Sequence, residues 1–425
     1  MIRATTGGVL KSYRNNLMNS FISMNKARDT VLTQRNFNSY AEDPAAAAKA
    51  FKLRKSRMAV ESQYNICNDA YSKYQTAFSC LQTVDKLIDT ENGSEQMNTL
   101  KNTTLEMLND PKGDARTQLT KVLDQLSETI VQTMNQKYGD NFIFAGADGH
   151  NVPFEVKDNK LYYRGVPVDA AVPDVITDDT GAKVTAADGS YVLSSTKTIS
   201  QDAYDAAIAD GAAAADYIAY TTKDDTGATV NRYILAADAE TMTPDEYDTA
   251  VEDAAKLKYL VNEKAFVDIG LGFQENENGQ LIESSAFDSA LNGLTFLGYG
   301  VDADGDPKNI YSLVQKMREL AESVPDGEVW DPIYEEFRGL VTKLEQASSN
   351  YKTEFTNMDA STTKLKNNLD LLQDNFYNLQ EQYSNLEDVD MVDAITSFIW
   401  AQYCYNAALK VGNNVLSESL MDYLN

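Results

Sequence analysis

Beginning at Trp330 and stepping four, three, four, three, the chain runs through Tyr334, Phe337, Val341, Leu344, Ser348, Tyr351, Phe355, Met358, Thr362, Leu365, Leu369, Leu372, Phe376, Leu379, Tyr383 and Leu386. Fifteen of these 17 positions are apolar or aromatic, no proline follows Pro332, and Gly339 is the only glycine in the run. A 3.5-residue repeat kept up this long predicts one continuous helix, roughly 85 Å from end to end. Only other long helices can cover a stripe of that length. The fold class expected is therefore mainly α, with a long antiparallel coiled-coil or helical-bundle core.

Partners for that helix are legible at both chain ends. Leu10, Tyr13, Leu17, Ser20, Met24, Ala27 and Val31 alternate steps of three and four. Asp43-Pro44 before Ala45–Ala48 reads as a helix start, with an N-cap, proline at the first helical position and strong helix formers after it. A stripe follows at Cys67, Tyr71, Tyr74, Phe78, Leu81 and Ile88, broken by Asp85, and another at Leu119, Leu123, Leu126, Ile130 and Met134. Pro111 and Gly113 separate these two helices. After Leu386 the register slips at Glu387-Asp388. A broader face then runs Val392, Ile395, Phe398, Ile399, Gln402, Tyr405, Ala408, Leu409, Val415, Leu416 and Leu420, too wide for a single seam.

The middle changes character. Phe142-Ile143-Phe144, Phe154-Glu155-Val156 and Lys160–Tyr163 predict short strands, as do Phe266–Ile269 and Leu271–Phe273, with Asn292-Gly293 as a hairpin turn. These two stretches are expected to pair in one small β domain. Between them lies a duplication. Asp178–Val184 recurs as Asp224–Val230, Tyr191-Val192-Leu193 as Tyr233-Ile234-Leu235, and Ser200–Ala207 as Thr243–Ala250. Each copy reads as a turn, a hairpin and a capped helix, and Thr243 to Glu246 fits a capping box. The expected organisation is residues 1–40 with 388–425 as an outer terminal coiled-coil layer, and 41–140 with 305–387 as the long helical core. Residues 141–168 with 264–304 form the β part, and 169–263 a solvent-facing, duplicated ββα-like insert.

Charge and rare residues exclude several function classes. The formal net charge is -27, and phosphate binding needs clustered cations, so nucleic acid is not an expected partner. The charge is uneven: residues 1–60 hold 11 Lys/Arg against 3 Asp/Glu, residues 380–425 hold 1 against 7, and residues 169–263 hold 6 against 19. No apolar run reaches the ~20 residues of a membrane span, and the first 30 residues lack the apolar stretch of a cleavable signal peptide. The one histidine, His150, sits in a turn-like Gly-Ala-Asp-Gly-His-Asn segment. Cys67, Cys80 and Cys404 form no C-x-x-C pair and are expected to be small buried hydrophobes. Asp302-Ala303-Asp304-Gly305-Asp306 alternates like a calcium loop, but a helix–loop–helix calcium site needs glycine sixth and glutamate twelfth, where this chain has Pro307 and Leu313. A solvated turn is expected there. No phosphate-binding loop, nucleophile elbow or H-E-x-x-H motif occurs. The reading is no enzyme, with no catalytic, cofactor-binding or metal residues.

Four segments in order resemble the flagellin superfamily. Ala41-Glu42-Asp43-Pro44 is similar to its S-D-D-P, and Gln63-Tyr64-Asn65-Ile66 with Asp69-Ala70 to its Q-Y-x-x-N-I-x-x-A. Asn141-Phe142-Ile143-Phe144-Ala145-Gly146 followed by Pro153-Phe154 resembles Y-I-F-A-G…P-F, and Leu416–Leu424 resembles L-S-L-x-D-Y-L. The likeness covers roughly residues 1–168 and 264–425 and leaves the insert unexplained. Gln34 stands where the family has glycine, so the N-terminal turn is expected to be built differently. The Asp422-Tyr423-Leu424 ending resembles the hook-associated branch, adaptors between hook and filament, more than the filament flagellins.

That resemblance implies a structural adaptor of the bacterial flagellum. It would be extracellular, passed out through the flagellar type III apparatus, and arranged as a ring of subunits. The partners implied are other copies of itself, other hook-associated proteins, filament flagellin and an export chaperone. The alternatives are filament flagellin itself, or an acidic coiled-coil surface adhesin whose insert binds a ligand. The residues expected at the assembly interface are Leu10, Tyr13, Leu17, Met24, Val31, Val392, Ile395, Ile399, Tyr405, Leu409, Leu416 and Leu420.

Overall fold

The computed structural model describes residues 6–89, 98, 102, 114–224, 226–323 and 331–424. Nine helices are found among them: α1 Thr6–Thr33, α2 Pro44–Ile88, α3 Asp114–Met134, α4 Gln201–Ala209, α5 Pro244–Val261, α6 Gly293–Leu297, α7 Ile310–Glu322, α8 Asp331–Glu387 and α9 Met391–Leu424. The periodic run is the 57-residue α8, and every stripe position from Tyr334 to Leu386 is buried or half-buried. Trp330, Pro111 and Gly113 lie outside the described residues. Strands are short and antiparallel, so the chain is mainly α with small sheets in the middle.

The chain divides into two compact units. The first comprises Met1–Asn68, Asp268–Phe273 and Leu365–Asn425. Here α1 packs along α9, while the first part of α2 packs along the last part of α8. Helix α2 starts as its sequence suggests: the Ala45 and Ala46 N–H groups donate to Asp43 Oδ1 at 3.0 and 2.9 Å. The register slip is the end of α8, and Asp390 caps α9 by accepting from the Val392 N–H at 2.8 Å.

A clasp joins the two inter-helix loops of this unit. The buried Glu387 carboxylate meets Arg35 at 2.9 Å and Arg54 at 3.3 Å. The Asn36 N–H donates to Glu387 O at 2.8 Å, and the Val389 N–H to Gln34 O at 3.2 Å. Asn36 Nδ2 donates to Leu386 O and Asp388 O at 3.2 and 2.9 Å. Gln34 ends α1 with φ of 59°. That is the left-handed conformation glycine adopts freely and other residues at a cost of ~1–2 kcal/mol. The turn is thus built with a glycine-like backbone by a residue unsuited to it. Gln34→Gly should stabilise this unit by about 0.5–1 kcal/mol, glycine's greater unfolded-state entropy offsetting part of the relief. A higher urea midpoint would confirm it.

The second unit comprises Asp69–Val267 and Gln274–Lys364. On α2 the buried face is Ala70, Tyr74, Ala77, Leu81, Val84 and Ile88. Ala70 and Ala77 take the places where the sequence pattern counted Tyr71 and Phe78, which are only half-buried, and Val84 fills the place the pattern saw broken by Asp85. The larger rings sit at the edge, as in the stacked pair Phe78–Phe355 at 4.8 Å. Helices α3 and α7 pack together through Leu119, Leu123, Ile130, Val314 and Met317, and Gln315 Nε2 donates to Ser127 Oγ at 3.0 Å.

The small sheets correct three expectations. Phe142–Phe144 is not one strand. Asn141–Phe142 (β2) pairs with Lys137–Tyr138 (β1), the chain turns, and Ala145–Gly146 (β3) follows. Phe142, Ile143, Phe144 and Ala145 are all buried, and a straight strand cannot bury consecutive side chains on one face. Asn292-Gly293 is not a hairpin turn: Asn292 caps α6 by accepting from the Leu294 N–H at 2.9 Å. Leu271–Phe273 forms no strand, because Gly270 and Gly272 have φ of 108° and 73° and their N–H groups both donate to Asp268 Oδ1. The two middle stretches do pair, at Phe144's neighbours: Ala145 faces Asn292 and Gly146 faces Leu291. Phe154–Lys157 (β4), Lys160–Tyr163 (β5) and Val166–Pro167 (β6) make a three-stranded meander, and Phe266–Val267 (β7) pairs with Phe287–Asp288 (β8).

The acidic turn at 302–306 is closed by a lysine. Lys343 Nζ lies 2.7 Å from Asp302 and 2.8 Å from Asp304 and also pairs with Asp306, which Lys316 shares. Burial alone would raise the Asp302 and Asp306 carboxyls. Bonds from the lysines, joined at Asp302 by backbone N–H groups, outweigh it and hold both below the ordinary carboxylate value. Depressed carboxyl values mean stability that is present above pH ~4 and lost as pH falls through them. Lys343→Met should cost about 1–3 kcal/mol at neutral pH, by leaving three carboxylates facing one another. It should reverse the trend, the variant regaining stability relative to the parent below pH ~4. Urea unfolding at pH 7 and pH 3.5 checks both signs.

Candidate assembly surface

Helices α1 and α9 carry two kinds of apolar face. The inner one is the seam between them. On α1, Tyr13, Leu17, Ser20, Met24, Ala27 and Val31 are half-buried, with Leu10 exposed at its end. On α9 the matching positions are Met391, Ala394, Phe398, Ala401, Tyr405, Ala408 and Gly412, again in steps of three and four. Phe21 and Tyr405 meet with ring centroids 5.7 Å apart. Small residues dominate the α9 side, which lets the two helices come close. Gly412 is the tightest point: a Cβ there would lie 1.8 Å from Tyr13 Oη and 2.1 Å from Cζ. Gly412→Leu should therefore open the seam at a cost of about 1–3 kcal/mol. Proteolysis of α1 should rise roughly tenfold and fall back when Tyr13→Ala is added.

The outer face of α9 is uncovered. Val392, Ile395, Ile399 and Leu409 are exposed, and so are Trp400, Tyr403 and Val411, with Val392 at 73%, Trp400 at 64% and Tyr403 at 69%. On α1, Met18, Ile22 and Leu32 point outward too. Each large apolar side chain left in water forgoes about 1.5–3 kcal/mol of burial, and a concentration of exposed apolar side chains on one helix marks an interaction surface.

Of the residues expected at an interface, the structure places Tyr13, Leu17, Met24, Val31 and Tyr405 in the α1–α9 seam. Leu10, Val392, Ile395, Ile399 and Leu409 are left exposed. The side chains of Leu416 and Leu420 lie outside the described residues. Trp400, Tyr403 and Val411 were missed by the sequence reading because they fall outside its three-four step. The signal available was simply the density of large apolar residues on this helix.

Elsewhere the chemistry is bland. Cys67 is buried, its thiol donating to Leu365 O at 3.6 Å, and Cys80 is half-buried. Cys404 is exposed, contrary to the expectation of burial, because it lies on the outer side of α9 beside Tyr403. His150 is exposed in its turn, its N–H held by Asp148 Oδ1 at 3.1 Å. Among the described residues, Asp302, Asp304 and Asp306 could group around a metal, but the Lys343 ammonium already answers their charge. No helix among the described residues is long and apolar enough to cross a membrane.

No family model matches the chain, and no curated protein matches it. Among solved structures it is similar to a protein assigned as flagellar hook-associated from Vibrio parahaemolyticus, at 11% identity and a TM-score of 0.43, covering 82% of this chain and 100% of that one. It is also similar to FlgL from Xanthomonas campestris, at 14% identity and a TM-score of 0.38, covering 79% and 99%. A third is the flagellar junction protein FlgL from Legionella pneumophila, at 14% identity and a TM-score of 0.35, covering 75% and 99%. At these identities and scores the likeness bears no functional weight by itself.

Proposed function

We propose that this chain is a structural subunit of the bacterial flagellum, joining hook to filament by coiled-coil assembly with neighbouring axial subunits. One observation carries the reading: two terminal helices seal a seam with each other and leave a second face of large apolar side chains open along α9. An isolated pair is a poor way to bury such a face, whereas a ring or tube of subunits covers it on all sides. The four sequence segments that resemble the flagellin superfamily support the same reading, and the Asp422-Tyr423-Leu424 ending favours the junction over the filament.

In this reading residues 1–40 with 388–425 form a layer that orders fully on assembly, and the remaining helices hold the free subunit. Neighbours would be further copies of the chain, other hook-associated proteins on one side and filament flagellin on the other. The subunit would leave the cell through the flagellar type III apparatus, kept soluble before export by a chaperone that covers the open α9 face. It performs no catalysis.

Immunogold labelling of intact cells with an antibody against residues 169–263 tests the assignment. A single band at the base of each filament is the expected result. Label along the whole filament would make the chain a filament flagellin instead. Label over the cell body, with flagella bare, would overturn the axial reading in favour of a surface adhesin.

A further inference from the structure

The two repeats of the insert are locally alike. Asp178 Oδ1 accepts from the Thr180 N–H, the Thr180 hydroxyl and the Ala182 N–H at 2.9, 2.6 and 2.9 Å. Asp224 Oδ1 accepts from Thr226 and Ala228 at the same three distances. Gly181 and Gly227 follow with φ of 86° and 84°. Ser200 caps α4 and Thr243 caps α5, the latter with the full capping box.

Their pairing, however, runs between copies. Tyr191 of the first repeat faces Met242 of the second, and Val192 faces Thr241. Tyr233 of the second faces Ile199 of the first, and Arg232 faces Ser200. By the duplication, Tyr191 corresponds to Tyr233 and Ile199 to Met242, so these are one contact made twice with the roles exchanged. The rings repeat the exchange. Tyr204 on α4 stacks on Tyr233 at 3.8 Å, and Tyr247 on α5 meets Tyr191 at 5.4 Å. The buried core of Val184, Val192 and Ile234 draws on both repeats, with Ile176 and Ile218 packed against it. Helix α4 buries no residue fully, so the first repeat cannot close a core alone.

We propose that the insert is a two-fold dimer fused into one chain, and that each repeat is a docking surface whose fitting partner, besides its neighbour, is the other repeat in a second copy of this protein. The link is Asp210–Ala213, where Gly211 has φ of 104° and turns the chain from α4 toward the strand Tyr217–Lys223. A short link holds the two repeats at an effective concentration on the order of millimolar, which keeps them paired within one chain. Shortening the link below the reach of the turn makes the same contacts available only between chains. The inference does not depend on the flagellar reading.

The test uses the full chain with Cys404→Ser throughout. Deleting Gly211–Ala213 should double the mass measured by light scattering. With Ser200→Cys and Arg232→Cys added, the disulfide should join two chains in the shortened protein and stay within one chain at full link length. A shortened protein that remains monomeric, with its insert closed or melted, overturns the proposal. Complementation gives a second reading. A chain carrying Val192→Asp and one carrying Ile234→Asp each lose one repeat, and mixing them should yield a heterodimer. A mixture that stays monomeric would also overturn it.

Discussion

A chain lacking residues 391–425 should leave cells non-motile, with filaments absent or shed, while the purified truncated protein stays soluble and largely helical. Truncation removes all of α9, and with it both the seam against α1 and the open face of Val392, Ile399, Trp400 and Tyr403. The second unit keeps its own core, including Leu81, Ile88, Leu119, Phe144, Val314 and Leu344, so its thermal transition should survive within a few degrees. The loss of assembly should be complete rather than graded, because among the described residues no other helix exposes as many large apolar side chains as α9. Swarming on soft agar and electron microscopy of the cells read the first effect, and circular dichroism reads the second. Motility at the parental level would sink the assembly role of α9.

Tyr351→Ala should be the most destabilising single substitution considered, by about 3–5 kcal/mol. Tyr351 is fully buried, and its hydroxyl donates to Leu81 O at 2.6 Å. Its ring lies 6.4 Å from both Phe296 and Phe355, so truncation empties the meeting point of α2, α6 and α8. Tyr351→Phe keeps the ring and removes the hydroxyl alone, and should cost about 1 kcal/mol. Burial pushes the phenol far above its ordinary value, with the charge of Asp85 adding to it, so neither effect should vary with pH below 9. Urea unfolding of the two variants separates the packing contribution from that of the hydrogen bond. A difference between them below 1 kcal/mol would show that the site collapses around the cavity.

Much of the scaffold is legible in the residues because its causes are local. The Asp43-Pro44 start, the Thr243–Glu246 capping box and the break at Glu387 are decided within a turn or two of chain, and each is where the pattern puts it. The misreadings have a common cause. Phe142–Phe144, Leu271–Phe273 and Asn292-Gly293 are short, and two or three residues do not say whether they belong to a strand, a turn or a helix cap. Counting large side chains on α2 also overlooked Ala70 and Ala77, which are buried because they permit close approach rather than because they are hydrophobic.

The sequence by itself determined that both ends of the chain are long helices with apolar stripes, that a small β region and a duplicated insert lie between them, and where α2 and α5 begin and α8 ends. Periodicity and capping are properties of one continuous segment, so no partner is needed to read them. Tertiary structure alone decided which stripe faces which. On α9 the seam went to Ala394, Ala401, Ala408 and Gly412 with Phe398 and Tyr405 between them, and Val392, Ile399, Trp400 and Tyr403 stayed outside, because the small side chains interleaved along that face let α1 approach. In the insert the repeats announced their local shape but not that Tyr191 would find Met242 and Tyr233 would find Ile199. Choosing a partner depends on distance and fit between segments far apart in the chain, and no local pattern encodes that.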